Sequence, residues 1–207
     1  MTSAKLFLIA AGFSAIGALP VGMINLSVAE RTIHRGSRAG LMVALGACVI
    51  ELCYTYIALY FIDFFVRNEA ISQVIKTIAI FIFLVLALYY WSRKVTPSKQ
   101  SDSKYPNSRN FGLGVGVAAI NMLIIPYWIF LGLWLKANGL LFDSVVDISS
   151  LAIGSMMGAL LVFLLYIRLG RYIVGRMEQV SYYTNKALAI LFLSLAIIQL
   201  VRVVYTG

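Results

Sequence analysis

The chain has 207 residues, 61% of them hydrophobic and only 12% charged, with a mean hydropathy of +0.91. Those values exclude an ordinary soluble domain and point to a membrane protein with little chain left for anything else. A net charge of +9 in a soluble protein would suggest nucleic acid, but this positive charge gathers in loops that abut anionic headgroups, so the lipid bilayer is the expected partner and nucleic acid is not.

Runs of about 20 apolar residues, the length a helix needs to cross a ~30 Å hydrocarbon layer, predict six helices. The first covers 5–28, within a sequence start, "MTSAKLFLIAAGFSAIGAL", that has the look of a secretory signal. It is read instead as a first span, because Pro20 runs straight into another apolar turn and every later segment is also membrane-like. In "IGALPVGMINL", Gly17 and Gly22 flank Pro20 and Asn25 follows. Proline removes a backbone donor and clashes with the preceding turn, so the helix is expected to break there.

The second helix is expected over 39–62. It carries Cys48 and Cys53, which diverge by more than a quarter turn on a helix and give neither a metal pair nor a disulfide framework. Glu51 lies eleven or twelve residues from either end, ~17 Å at 1.5 Å per residue, too deep for its side chain to reach the headgroups. A charge at that depth costs on the order of 3 kcal/mol or more, so the side chain must face protein or water. Ala44, Ala47, Cys48, Tyr54, Thr55 and Ala58, at three- and four-residue steps from it, form a small, weakly polar face that belongs inside a bundle. Three roles stay open for Glu51: a hydrogen-bonded structural acid, a counter-charge for a cationic substrate group, or a carrier of a coupling proton.

A third helix is expected over 72–92, with Lys76 pairing to Asp63 or Glu69. The polar stretch "SRKVTPSKQSDSKYPNSRN" then divides the chain near its midpoint and reads as a solvated linker, 93–110. Helices over 111–135, 147–167 and 186–205 follow. The fourth contains "AAINMLIIPYWIF", with Asn121 ahead of Pro126, and a second proline break is expected there. An open backbone amide or carbonyl in hydrocarbon costs several kcal/mol. The two asparagines can either patch the kinks or join freed backbone groups around a midplane substrate cavity.

Twelve of the 17 basic residues fall in the first, third and fifth connections. Because Lys and Arg accumulate on the cytoplasmic side, both termini are expected outside. Three spans on each side of the linker make the halves 1–92 and 111–207 inverted repeats, although their sequences match poorly. Gly36-xxx-Gly40, Gly112-xxx-Gly116 and Gly154-xxx-Gly158 permit close helix approach within the chain or across a homodimer. Clusters such as "YYW" at 89–91 and "YYT" at 182–184 read as interfacial belts. His34, among arginines, reads as an exposed loop residue with no metal partner, and no cofactor is called for.

The span "GFSAIGALPVGMINLSVAERTIHRGSRAGLMVALGACVIE", including Arg35, Gly36, Arg38, Ala39, Gly40, Leu41, Gly46 and the acid five residues later, together with "FGLGVGVAAINMLIIPYW", resembles the LysE/RhtB-type translocators over nearly the whole chain. Family members usually carry Pro-Gly-Pro where this chain has Pro20, Val21, Gly22 and Met23. Their acid is commonly Asp rather than Glu51, and their Asn-Pro is here split into Asn121 and Pro126. The resemblance implies a non-enzymatic, all-α polytopic transporter of a bacterial inner membrane that exports amino acids or similar small metabolites. There is no Walker-type loop, so the proton-motive force is the expected energy source. Glu51, Asn25, Asn121 and Tyr54 are the candidate substrate or proton site, lined by the breaks at Pro20, Gly22 and Pro126. The alternatives are a membrane thiol-redox carrier using Cys48 and Cys53, and a non-transporting membrane scaffold.

Overall fold

The computed structural model describes residues 3–62, most of 80–92, and 107–121, 124–137, 139–140, 144–175 and 177–206. Among them the regular structure is helical throughout. In chain order the helices are α1 (Ser3–Ala18), α2 (Met23–Arg35), α3 (Ser37–Tyr60), α4 (Asn107–Ile120), α5 (Ile124–Ala137), α6 (Val145–Gly175) and α7 (Met177–Thr206), with further helical residues between 80 and 92. The expected pairing of Lys76 with Asp63 or Glu69 lies outside the described residues, as does most of the 93–110 linker.

Two helices are each long and apolar enough to cross a bilayer, Ser37–Tyr60 and Val145–Gly170. Two helix pairs reach that length only together: α1 and α2 are bent by 77°, and α4 and α5 by 62°. The first gap contains Pro20, which cannot donate to a preceding turn. The second gap falls at 121–123, ahead of the residue expected to cause it. Pro126 is the third residue of α5, in the first turn, where its missing N–H removes no helical bond.

Several ends also differ from expectation. The first span runs on as α2 to Arg35, so Arg31 and Arg35 sit on a helix rather than in a loop, because nothing interrupts "MINLSVAERTIHR" before Gly36. Gly36 then caps α2 with φ +84° and donates its N–H to the Thr32 carbonyl, a backbone shape that L side chains rarely adopt. α6 likewise extends eight residues past 167, with the exposed Arg168 able to carry its charge outward on a long stem.

The chain divides into two compact units, residues 1–62 with 101–176, and residues 63–100 with 177–207. The division draws segments from both sides of the linker into each unit. In the first, two apolar clusters form the core. One joins Val43, Ala44 and Ala47 of α3 to Val162, Phe163 and Tyr166 of α6, with Val28 of α2 and Ala118 of α4. The other joins Ala58 and Leu59 of α3 to Ile148 and Leu151 of α6, with Leu6 of α1 and Trp128 of α5. The start of α3 therefore meets the later part of α6 and its end meets the start of α6, so these two helices run antiparallel.

Close approach sets the other pairings. A Cβ on Gly154 would collide with the Phe7 carbonyl and one on Gly158 with the Ala11 carbonyl, so α1 runs parallel to α6 in steady register. Gly154-xxx-Gly158 is thus a packing pair within the chain. Gly112 and Gly116 meet nothing within 4 Å among the described residues, whereas Gly114 between them lies against the Val43 carbonyl. The expected spacing was displaced because Gly114 occupies the face of α4 that meets α3. Gly36 serves as a cap, and Gly40 alone of that pair packs, against Thr32 and Val28. In the second unit, Phe83 stacks with Phe192 at 6.1 Å. Lys186 Nζ stands 3.5 Å from the centre of the Trp91 ring and donates to the Trp91 carbonyl at 3.2 Å, a cation-on-ring anchor of the kind favoured at bilayer interfaces.

Candidate functional site

Glu51 lies on the α3 face that also buries Ala44, Ala47, Cys48, Thr55 and Ala58. The helical spacing of small residues thus directs the acid inward, as expected. Glu51 as a residue is half-buried, and its carboxylate is reached from two broken helix pairs. Ser14 of α1, one turn before the first gap, donates from Oγ to Glu51 Oε1 at 3.4 Å. Trp128 of α5, two residues beyond Pro126, donates from Nε1 to the same oxygen at 3.3 Å. Ser14 is 4% exposed and Trp128 fully buried. Among the described residues both donors converge on Oε1, which leaves Oε2 for a proton or an external donor. Bonds to an ionised carboxylate are stronger than bonds to a neutral one, so the hold of Glu51 on α1 and α5 depends on its charge.

At the first gap the buried Asn25 of α2 turns back on the end of α1. Its Nδ2 donates to the carbonyls of Ala18 and Pro20, each at 2.6 Å. Tyr166 of α6 donates its hydroxyl to the Leu19 carbonyl at 2.9 Å. Three successive carbonyls freed by the break are thereby satisfied, as a low-dielectric setting demands. Gly22 is the extended N-cap of α2 and brings no side chain to that cap. Asn25 therefore patches the kink, one of the two roles that its position left open.

At the second gap Tyr54, one turn beyond Glu51 on α3, donates to the Ala119 carbonyl at 2.9 Å. Asn121 sits half-buried in the gap itself, its backbone N–H donating to the Ala118 carbonyl at 2.9 Å. Tyr127, beside Trp128, donates to the Phe13 carbonyl at 2.9 Å and ties α5 back to α1.

The structure therefore brings Glu51 and Tyr54 together on α3, with Asn25 and Pro20 at one break and Asn121 and Pro126 around the other. Sequence reasoning missed Ser14, Trp128 and Tyr166. Ser14 is the one hydroxyl in the apolar run "LIAAGFSAIGAL" and Trp128 follows a proline by two residues, so both carried a faint signal. Tyr166 is one of 12 tyrosines and carried none. Cys48 is buried with its Sγ 3.8 Å from the Met156 carbonyl, and Cys53 is exposed, so the two thiols face different surroundings on α3. His34 is exposed near the end of α2.

Comparison with curated proteins and with solved structures gave no match. The family model described as LysE type translocator matches residues 15–202, a stretch that takes in both helix breaks, Glu51 and both capping tyrosines, and the chain belongs to that family of multi-pass membrane transporters.

Proposed function

We propose that this translocator exports amino acids or related small polar metabolites across a bacterial cytoplasmic membrane, by alternating access and at the expense of the proton-motive force. The observation that carries the reading is Glu51, an intramembrane acid held by Ser14 and Trp128 between two broken helix pairs. Broken helices aim the N–H groups of one half-helix and the carbonyls of the other at a site within the bilayer. Such ends suit the opposite charges of a zwitterion, with the N-termini of α2 and α5 facing a carboxylate and Glu51 facing an ammonium group.

The same acid suits coupling. A proton on Oε2 weakens the hold of Oε1 on α1 and α5; its departure restores it. One charge moved through 100 mV supplies ~2.3 kcal/mol, which sustains roughly a 50-fold concentration ratio per proton at ~1.4 kcal/mol per tenfold. The inverted arrangement of two three-helix halves, with both termini outside, belongs to this reading.

Glu51→Gln keeps the shape of the side chain and removes its titration. In proteoliposomes loaded with labelled amino acids, efflux driven by an imposed pH gradient should fall to the level of empty liposomes while the variant still elutes as a monodisperse species. Undiminished pH-driven efflux from that variant would remove Glu51 from the mechanism.

A further inference from the structure

The two breaks are held by side chains arriving in matching ways from opposite sides of the linker. On α6, Gly158 lies against the Ala11 carbonyl, and Tyr166, eight residues on, bonds the Leu19 carbonyl, eight residues beyond Ala11. On α3, Gly46 lies against the Phe111 carbonyl, and Tyr54, eight residues on, bonds the Ala119 carbonyl, eight residues beyond Phe111. Both tyrosine bonds measure 2.9 Å. The segments are "GACVIELCY" at 46–54 and "GALLVFLLY" at 158–166, alike at Gly, Ala, Leu and Tyr. In each the glycine lets a broken span approach backbone to backbone, and the tyrosine closes a carbonyl at the end of that span's first helix.

The two contacts lie at different levels of the bundle. Because α3 and α6 are antiparallel, Tyr166 shares a cluster with Val43 and Ala44 near the start of α3. Tyr54 lies ten residues beyond Ala44, ~15 Å along the axis. Glu51 is between those levels. The register that overlays the two segments sets Phe163 against Glu51, so the matched elements frame a single acid.

We propose that Tyr54 and Tyr166 are two copies of one latch, each reaching from the middle span of one half to the broken span of the other, and that they release in turn to open opposite faces of the pathway. This rests on the alternating-access reading above. A tyrosine that bonds a backbone carbonyl at a break stabilises the bent conformer in which that carbonyl is within reach. Losing the hydroxyl then favours the conformer in which the same break has moved away. Both are positioning residues, since they act on backbone and need touch no solute.

The test uses Tyr54→Phe, Tyr166→Phe and the double variant in the full chain, with Cys48 and Cys53 replaced by serine and one reporter cysteine introduced by Ser14→Cys. A membrane-impermeant maleimide is applied to right-side-out and inside-out vesicles, and the ratio of labelling rates is read without added solute. The single variants should shift that ratio in opposite directions, each by threefold or more. The double variant should label faster from both sides with a ratio near that of the tyrosine-bearing parent. Shifts in the same direction, or no shift in correctly folded variants, would overturn the proposal. Since labelling needs no substrate, opposite shifts in a protein whose parent shows no pH-driven efflux would leave the latches standing and reject only the transport assignment. Undiminished efflux in Glu51→Gln would reject only the role of that acid.

Discussion

Gly46→Ala isolates the role of close packing between α3 and α4. The added Cβ would overlap the Phe111 carbonyl and come within 2.9 Å of the Val115 nitrogen. Both obstacles are backbone, with no rotamer to retreat into, so the helices must part, at the ~1–3 kcal/mol typical of overpacking. Replacing a helical glycine by alanine gains ~1 kcal/mol, leaving a net loss of up to ~2 kcal/mol. Gly158→Ala should behave alike, because its Cβ would overlap the Ala11 carbonyl. Gly112→Ala and Gly116→Ala meet nothing within 4 Å among the described residues and should be neutral or stabilising. Thermal denaturation in detergent, followed by fluorescence-detected gel filtration, separates the pairs: Gly46→Ala and Gly158→Ala should melt below the parent, and the other two at or above it. Equal melting of all four would refute the assigned helix contacts and the register on which the paired latches depend.

Asn25→Leu should lower the melting temperature more than an average core substitution. It strands the Ala18 and Pro20 carbonyls, and each unsatisfied buried group costs ~1–3 kcal/mol; Asn25→Asp, which in its ionised form cannot donate, should not restore stability. Trp128→Phe keeps an aromatic ring in a fully buried site but removes the N–H aimed at Glu51. It should slow pH-driven efflux about tenfold, equivalent to ~1.4 kcal/mol. Parent-like rates in that variant would show that the indole only fills space.

Much of the fold was legible because a bilayer leaves few solutions: long apolar runs must be helices, and an acid eleven residues deep must face inward. The inward side of α3 was readable for the same reason, since Ala44, Ala47 and Ala58 repeat on the face of Glu51. The position of the second break was less so. Pro126 is conspicuous in sequence, yet a proline in a first turn is harmless, and the gap opens three to five residues earlier. The glycines show a similar limit: a glycine spacing marks where close approach is permitted, and only the neighbouring helix decides whether 112 and 116 or the intervening 114 makes it.

The order of apolar runs, the depth of Glu51 and the presence of a break near Pro20 were determined by sequence alone, because each follows from the energetics of one segment in hydrocarbon. Which donors reach the acid, and which tyrosines of 12 close the two gaps, was decided by tertiary structure. Ser14 and Glu51 are 37 residues apart, and Tyr166 and Leu19 are 147 apart; such partners are chosen by helix register, which no local pattern encodes. The likeness of "GACVIELCY" to "GALLVFLLY" is slight as a string of letters. It acquires meaning only when α3 and α6 each lay their glycine and tyrosine, eight residues apart, along the backbone of a parallel neighbour.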